Sequence, residues 1–100
     1  VLLAFSVAPA GEGDSTGVSE AVAAAVRVVR ESGLPHETTA MFTTVEGEWD
    51  EVMEVVRKAT DVVAAQSSRT SLVIKADIRP GHTNQLEEKV RRVEERLEQE

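Results

Sequence analysis

Cysteine is missing from all 100 residues, which removes disulfide scaffolds, thiolate metal centres and cysteine nucleophiles together and suits a reducing compartment. A cytoplasmic location is the expectation. Aromatic residues are scarce at 3%, and the 41% hydrophobic content is dominated by valine and alanine. Such small side chains build a thin core, for which self-association compensates in a domain this size. No apolar run approaches the roughly 20 residues that span a bilayer. The opening VLLAFSVAPA lacks the basic flank of a signal peptide and reads as a strand of the mature domain. Positive charge is also short: 11 Lys and Arg against 18 Asp and Glu give a net charge of −7, the wrong sign for binding phosphodiester backbones or anionic lipid. Neither nucleic acid nor membrane is an expected partner.

What is present organises as one domain over residues 1–100, because a second core would leave each half too small to stay folded unaided. Val1 to Ala8 is almost wholly apolar and stops at Pro9, the pattern of a central strand buried on both faces. Leu3, Phe5 and Val7 share one face, with Ser6 the lone polar side chain on the other. Pro9 to Gly17 is a connection, with Ser15 or Thr16 placed to cap the helix that follows. Val18, Val22, Ala25, Val26 and Val29 mark that helix's buried face, and Gly33, Leu34 and Pro35 end it.

The threonine-rich run from His36 to Gly47 is one long strand or two short ones folded about Ala40 and Met41. Trp49, Val52, Met53, Val56, Ala59 and Val63 then repeat at helical spacing behind the acidic start Glu48, Asp50 and Glu51. From Arg69 to Arg79, alternation puts Leu72, Ile74, Ala76 and Ile78 on one strand face and Ser71, Val73, Lys75, Asp77 and Arg79 on the other. Asn84 with Glu87 resembles a capping box, and Leu86, Val90, Val93 and Leu97 form the narrow stripe of a surface helix. If the threonine-rich run is a hairpin, this is a split βαβ plan with an extra C-terminal helix, and both main helices cover one face of an antiparallel sheet. The uncovered face predicts assembly through the sheet.

Chemistry-bearing motifs are few. Gly11, Gly13 and Gly17 follow a strand, but Thr16 stands where GxGxxG needs its third glycine, and Glu12 and Asp14 would repel phosphate. His36 and His82 are too few for a histidine-rich metal cluster, and no acid, base and nucleophile set stands out; His36 with Glu37 is the best acid–base candidate. No catalytic residue, metal site or cofactor is predicted. Glu46, Glu48 and Trp49 fall where the threonine-rich run meets the second helix. An indole face and carboxylates there suit a cation or an amine-bearing heteroaromatic ring, although Trp49 as core and the acids as helix-start residues explain the same pattern. Thr43 and its neighbouring threonines, with Ser6 on the adjacent strand, offer hydroxyls to a ligand.

The segments SVAPAG (Ser6 to Gly11), ESGLPHETTAMFTTVEGEWDEVMEVV (Glu31 to Val56) and IKADIRPG (Ile74 to Gly81) resemble the thiamine-binding, YkoF-like proteins, with Thr43, Glu46 and Gly47 in the most specific stretch. The resemblance implies a ferredoxin-like α+β domain, βαββαβ with an added helix, and so a hairpin in the threonine-rich run. It also implies homotetramers built as dimers of dimers through their sheets, and in some members binding of thiamine or its hydroxymethylpyrimidine moiety. Joined to the residue chemistry, it predicts non-enzymatic binding in a pocket formed by Ser6, Thr43 and Glu46, with Trp49 as a wall. Two rival readings are a structural or regulatory oligomer without a ligand and a small dimeric enzyme relying on His36.

Overall fold

In the computed structural model, which describes residues 1–11 and 18–99, seven elements follow in the order β1 (Leu2–Pro9), α1 (Val18–Glu31), β2 (His36–Thr38), β3 (Thr43–Glu46), α2 (Trp49–Ala64), β4 (Thr70–Asp77) and α3 (Gln85–Glu98). The strands form one antiparallel sheet in the order β2-β3-β1-β4. This is the ferredoxin-like arrangement with a helix added at the C-terminal end. The threonine-rich run is indeed a hairpin: Thr39 turns it, its N–H donating to the Phe42 carbonyl while its hydroxyl accepts from the N–H groups of Met41 and Phe42. That side-chain turn is why residues 39–42 leave the ladder despite their strand-forming composition. The capping roles expected of Ser15 and Thr16, and the glycine pattern at Gly13 and Gly17, lie outside the described residues.

The core is a single cluster between the sheet and the two long helices, with Leu3, Val29, Val45, Val52, Ala59 and Val63 fully buried. Full burial of a side chain of the Val or Leu kind stabilises the fold by about 1.5–3 kcal/mol. Helix α1 is rotated from the expected face. Ala21, Ala25 and Val29 are buried, whereas Val22 stands 39% exposed; close packing against α2 favours the alanine side, because small residues let helices approach. Gly33, at φ 76°, ends the helix in the left-handed conformation a C′ glycine adopts at no steric cost.

Two further expectations are corrected. Strand β1 is buried on one face only: Leu3, Phe5 and Val7 are buried while Leu2, Ala4, Ser6 and Ala8 are half-covered. The second face of the sheet has no helical layer, and α3 reaches only its corner. Trp49 does not join the buried face of α2 but is 49% exposed, because it is the helix's first residue and lies beyond the sheet it would have to cover. Among the described residues, no helix is long and apolar enough to cross a membrane.

Candidate functional site

Strand β1 is paired unequally on its two sides. Toward β4 it is hydrogen-bonded along its whole length, from Leu2 opposite Asp77 to Pro9 opposite Thr70. Toward β3 the pairing stops at Phe5 opposite Thr43, where the hairpin turns away. The backbone edge of residues 6–8 on that side therefore has no strand partner among the described residues. Unpaired backbone N–H and C=O groups at such a gap remain available to a bound molecule.

A cavity of about 170 Å³ opens at this gap. Its walls are Phe5 and Val7 from β1, Val22 and Val26 from α1, and Met41 and Phe42 from the hairpin turn. Thr38, Thr39 and Thr43 supply hydroxyls, while Ser6 also borders the cavity, although its side chain shares the opposite sheet face with Val73. The Thr38 and Thr43 hydroxyls face each other across the hairpin at 3.5 Å. Thr43 is only 8% exposed, so a ligand reaching it exchanges water for a dry, one-sided contact. No charged side chain lines this cavity among the described residues. A space of about 150 Å³ admits a benzene ring, so the cavity is matched to one six-membered ring.

Glu46 lies at the opposite end of the β1–β3 ladder, paired with Leu2. Three residues of strand, roughly 10 Å, separate it from Thr43. Its carboxylate, 7% exposed, accepts from the backbone N–H of Gln85 at 2.7 Å and of Leu86 at 3.2 Å. Both are first-turn donors of α3, where a carboxylate satisfies unpaired N–H groups and meets the positive end of the helix dipole. The capping box expected from Asn84 and Glu87 is not what starts this helix. Asn84 is in the left-handed conformation at φ 58° and makes no side-chain capping bond, and the cap comes from a strand 39 residues earlier. That connection is invisible to local sequence spacing.

The four predicted site residues thus do not converge. Ser6 and Thr43 share the gap cavity. Glu46 instead borders a second cavity of about 320 Å³ with Glu48, Glu51, His82 and Asn84. Trp49 begins α2 and lines neither cavity. Glu51 closes the start of α2 by accepting from the Glu48 N–H at 2.9 Å, so the acids here serve helix starts. His36 is exposed on β2, its Nδ1 2.9 Å from the Leu34 carbonyl oxygen, and borders neither cavity. Among the described residues, no group of three or more His, Cys, Asp or Glu side chains could hold a metal ion. The sequence reading missed Phe42, Val22 and Val26 as cavity walls. Two adjacent large apolar residues, Met41 and Phe42, in a predicted turn were the available signal.

The model of one protein family, described as thiamine-binding protein, matches residues 3–94. A UPF0045 protein of Mycobacterium bovis is 55% identical over 98 residues, covering 97% of this chain and 94% of the relative. Among solved structures, a hypothetical protein of Methanocaldococcus jannaschii superposes with a TM-score of 0.83 at 32% identity, covering 95% of this chain and 96% of that one. A Thermotoga maritima protein named for thiamine biosynthesis/salvage gives a TM-score of 0.78 at 27% identity, covering 92% of this chain and 96% of that one.

Proposed function

The chain belongs to the thiamine-binding protein family, and from that premise we propose that it binds thiamine or its hydroxymethylpyrimidine moiety, without turnover, by taking the pyrimidine ring into the gap cavity beside β1. The observation that carries this reading is the chemistry of the cavity itself: one-ring volume, apolar walls, three threonine hydroxyls and, among the described residues, an open strand edge and no charged lining. An aminopyrimidine is a neutral, flat ring with acceptor nitrogens and a donating exocyclic amine. Phe5, Val22, Val26 and Phe42 would cover its faces, while hydroxyls and strand-edge groups pair with its rim. The cationic thiazolium of thiamine would remain in the mouth, under the field of a chain carrying net charge −7. In this reading Thr43 contacts the ligand and Ser6 lies at the cavity's edge, whereas Glu46 holds α3 and Trp49 lies aside.

A thermal-shift and calorimetric panel of thiamine, hydroxymethylpyrimidine and thiamine diphosphate tests the proposal. A ligand at about a hundred times its Kd adds about 2.7 kcal/mol to stability, which corresponds to a rise in Tm of about 10 °C for a domain of this size. No shift with any of the three at millimolar concentration overturns it. Recovery of the ligand chemically unchanged after prolonged incubation is the expected result for a binder, and a new product would point to an enzyme. The proposal places the protein in the cytoplasm, a reducing setting that suits a chain without cysteine.

We further propose that the sheet face carrying Val73, itself 52% exposed, is covered by a second copy and that such dimers pair into tetramers. Sedimentation at micromolar concentration that shows only monomers would refute this.

A further inference from the structure

Helix α3 leaves the body of the molecule. The radius of gyration is 15.2 Å and the longest extent 51 Å, against about 13 Å for the radius of a compact chain of this length. Its side toward the sheet is polar: Gln85 is buried, Lys89 bonds Asp77, and Arg92 donates to the Gln85 side chain at 2.7 Å. The apolar stripe points elsewhere, with Val90 54%, Val93 60% and Leu97 60% exposed. Beginning with Leu86, the stripe steps by four, three and four residues, the spacing of a two-heptad coiled-coil seam. On the outer side Arg91 pairs with Glu88 and, at 2.6 Å, with Glu95, so that side has its own charge partners.

We propose that α3 docks on α3 of a second copy of this chain as a parallel, in-register two-stranded coil. Charge complementarity identifies both the occupant and the direction. With Leu86 and Val93 at d and Val90 and Leu97 at a, the flanking g positions are Lys89 and Arg96 and the flanking e positions are Glu87 and Glu94. In a parallel pair, g of one helix meets e of the next heptad on the other, which sets Lys89 against Glu94 on both sides of the seam. In an antiparallel pair g meets g and e meets e, so one flank would be wholly basic and the other wholly acidic. The Lys89 side chain is 45% exposed, and its ammonium has three donors, enough to bridge Asp77 of its own chain and a carboxylate of the other. Two heptads are too short to pair as free peptides. Here Glu46 fixes the first turn of the helix in place, which reduces the ordering cost of association. The inference is independent of the ligand reading and concerns a surface separate from the uncovered sheet face.

The absence of native cysteine makes the test direct. Val90→Cys and Leu97→Cys, each alone in the full chain and oxidised with diamide, should each give a covalent dimer on non-reducing electrophoresis, while Glu95→Cys on the outer side should give only background. An antiparallel pair brings at most one of the two stripe positions onto itself, and docking of the stripe on a sheet brings neither. Failure of either variant to exceed Glu95→Cys overturns the proposal. As a second measurement, Glu94→Lys should weaken self-association about tenfold, since 1.4 kcal/mol is one decade and two symmetric pairs change from attraction to repulsion. Adding Lys89→Glu to it should restore most of that loss. An association constant insensitive to Glu94→Lys would also count as refutation.

Discussion

The two ends of the β1–β3 ladder each border a cavity and have opposite chemistry. At one end, Phe5 pairs with Thr43 beside a cavity with hydroxyls and, among the described residues, no charged lining; at the other, Leu2 pairs with Glu46, whose carboxylate is buried with both oxygens engaged. A buried carboxylate attracts attention as a binding group, yet here both its oxygens accept backbone N–H groups of the protein's own helix. A buried charge is stable only when paired or hydrogen-bonded, and α3 meets that requirement without any ligand. Among the described residues, the hydroxyl end is the one with unused hydrogen-bonding groups, and unused groups distinguish a site from a structural contact.

The largest effect is expected from Glu46→Ala. Hydrogen bonds to a charged group contribute about 1.5–3 kcal/mol each, so the loss of two should lower stability by about 3 kcal/mol or more. Urea unfolding and loss of helical circular dichroism from α3 would register it. The increment in Tm produced by thiamine should survive. If ligand response vanishes while stability holds, the roles assigned to the two ends are reversed.

Thr43→Val should act the other way round. Removing one hydroxyl that hydrogen-bonds a neutral ligand costs about 0.5–1.5 kcal/mol, a loss of roughly three- to tenfold in affinity by calorimetry. The Tm of the free protein should change little, because the hydroxyl's one partner among the described residues is the Thr38 hydroxyl at a marginal 3.5 Å. An affinity equal to wild type would remove Thr43 from the site.

Trp49→Ala is expected to be nearly silent. The side chain is 49% exposed and lines neither cavity, so stability should fall by less than about 1 kcal/mol, with ligand affinity unchanged. A large affinity loss would show that the indole reaches the ligand.

The smallest effect concerns acid. The hydrogen bond from Lys89, followed by its charge, holds the Asp77 carboxyl below its ordinary value. A carboxyl with a depressed folded-state pKa contributes stability that is present above its unfolded value and lost as pH falls through the folded one. Lys89→Met should flatten that acid-side slope slightly, measured by thermal melts below pH 5. Both partners are well exposed, so an unaltered slope would mean that solvent screens the pair completely.

Much of the fold is readable along the chain. The alternation of Leu3, Phe5 and Val7, the helical spacing of Val52, Val56, Ala59 and Val63, and Gly33 as a helix stop are local patterns, and each appears in the structure. Where the reading slipped, the deciding contact was not local. The face of α1 rests on how closely alanine lets α2 approach, the exposure of Trp49 on where the sheet ends, and the engagement of Glu46 on a helix beginning 39 residues later. For the site, hydroxyl chemistry at Ser6 and Thr43 was visible in the sequence, but the walls supplied by Val22, Val26 and Phe42 come from three separate elements.

Residue type and short-range periodicity were enough for the order of strands and helices apart from the threonine-rich run, which they left as one strand or two, and for the net negative charge and the absence of thiol chemistry. Only the tertiary structure decided which polar groups are spent and which are free. Whether a buried carboxylate serves a ligand or a helix, and whether a strand edge is paired or open, depends on elements far apart in the chain arriving at the same place, and no local spacing records that.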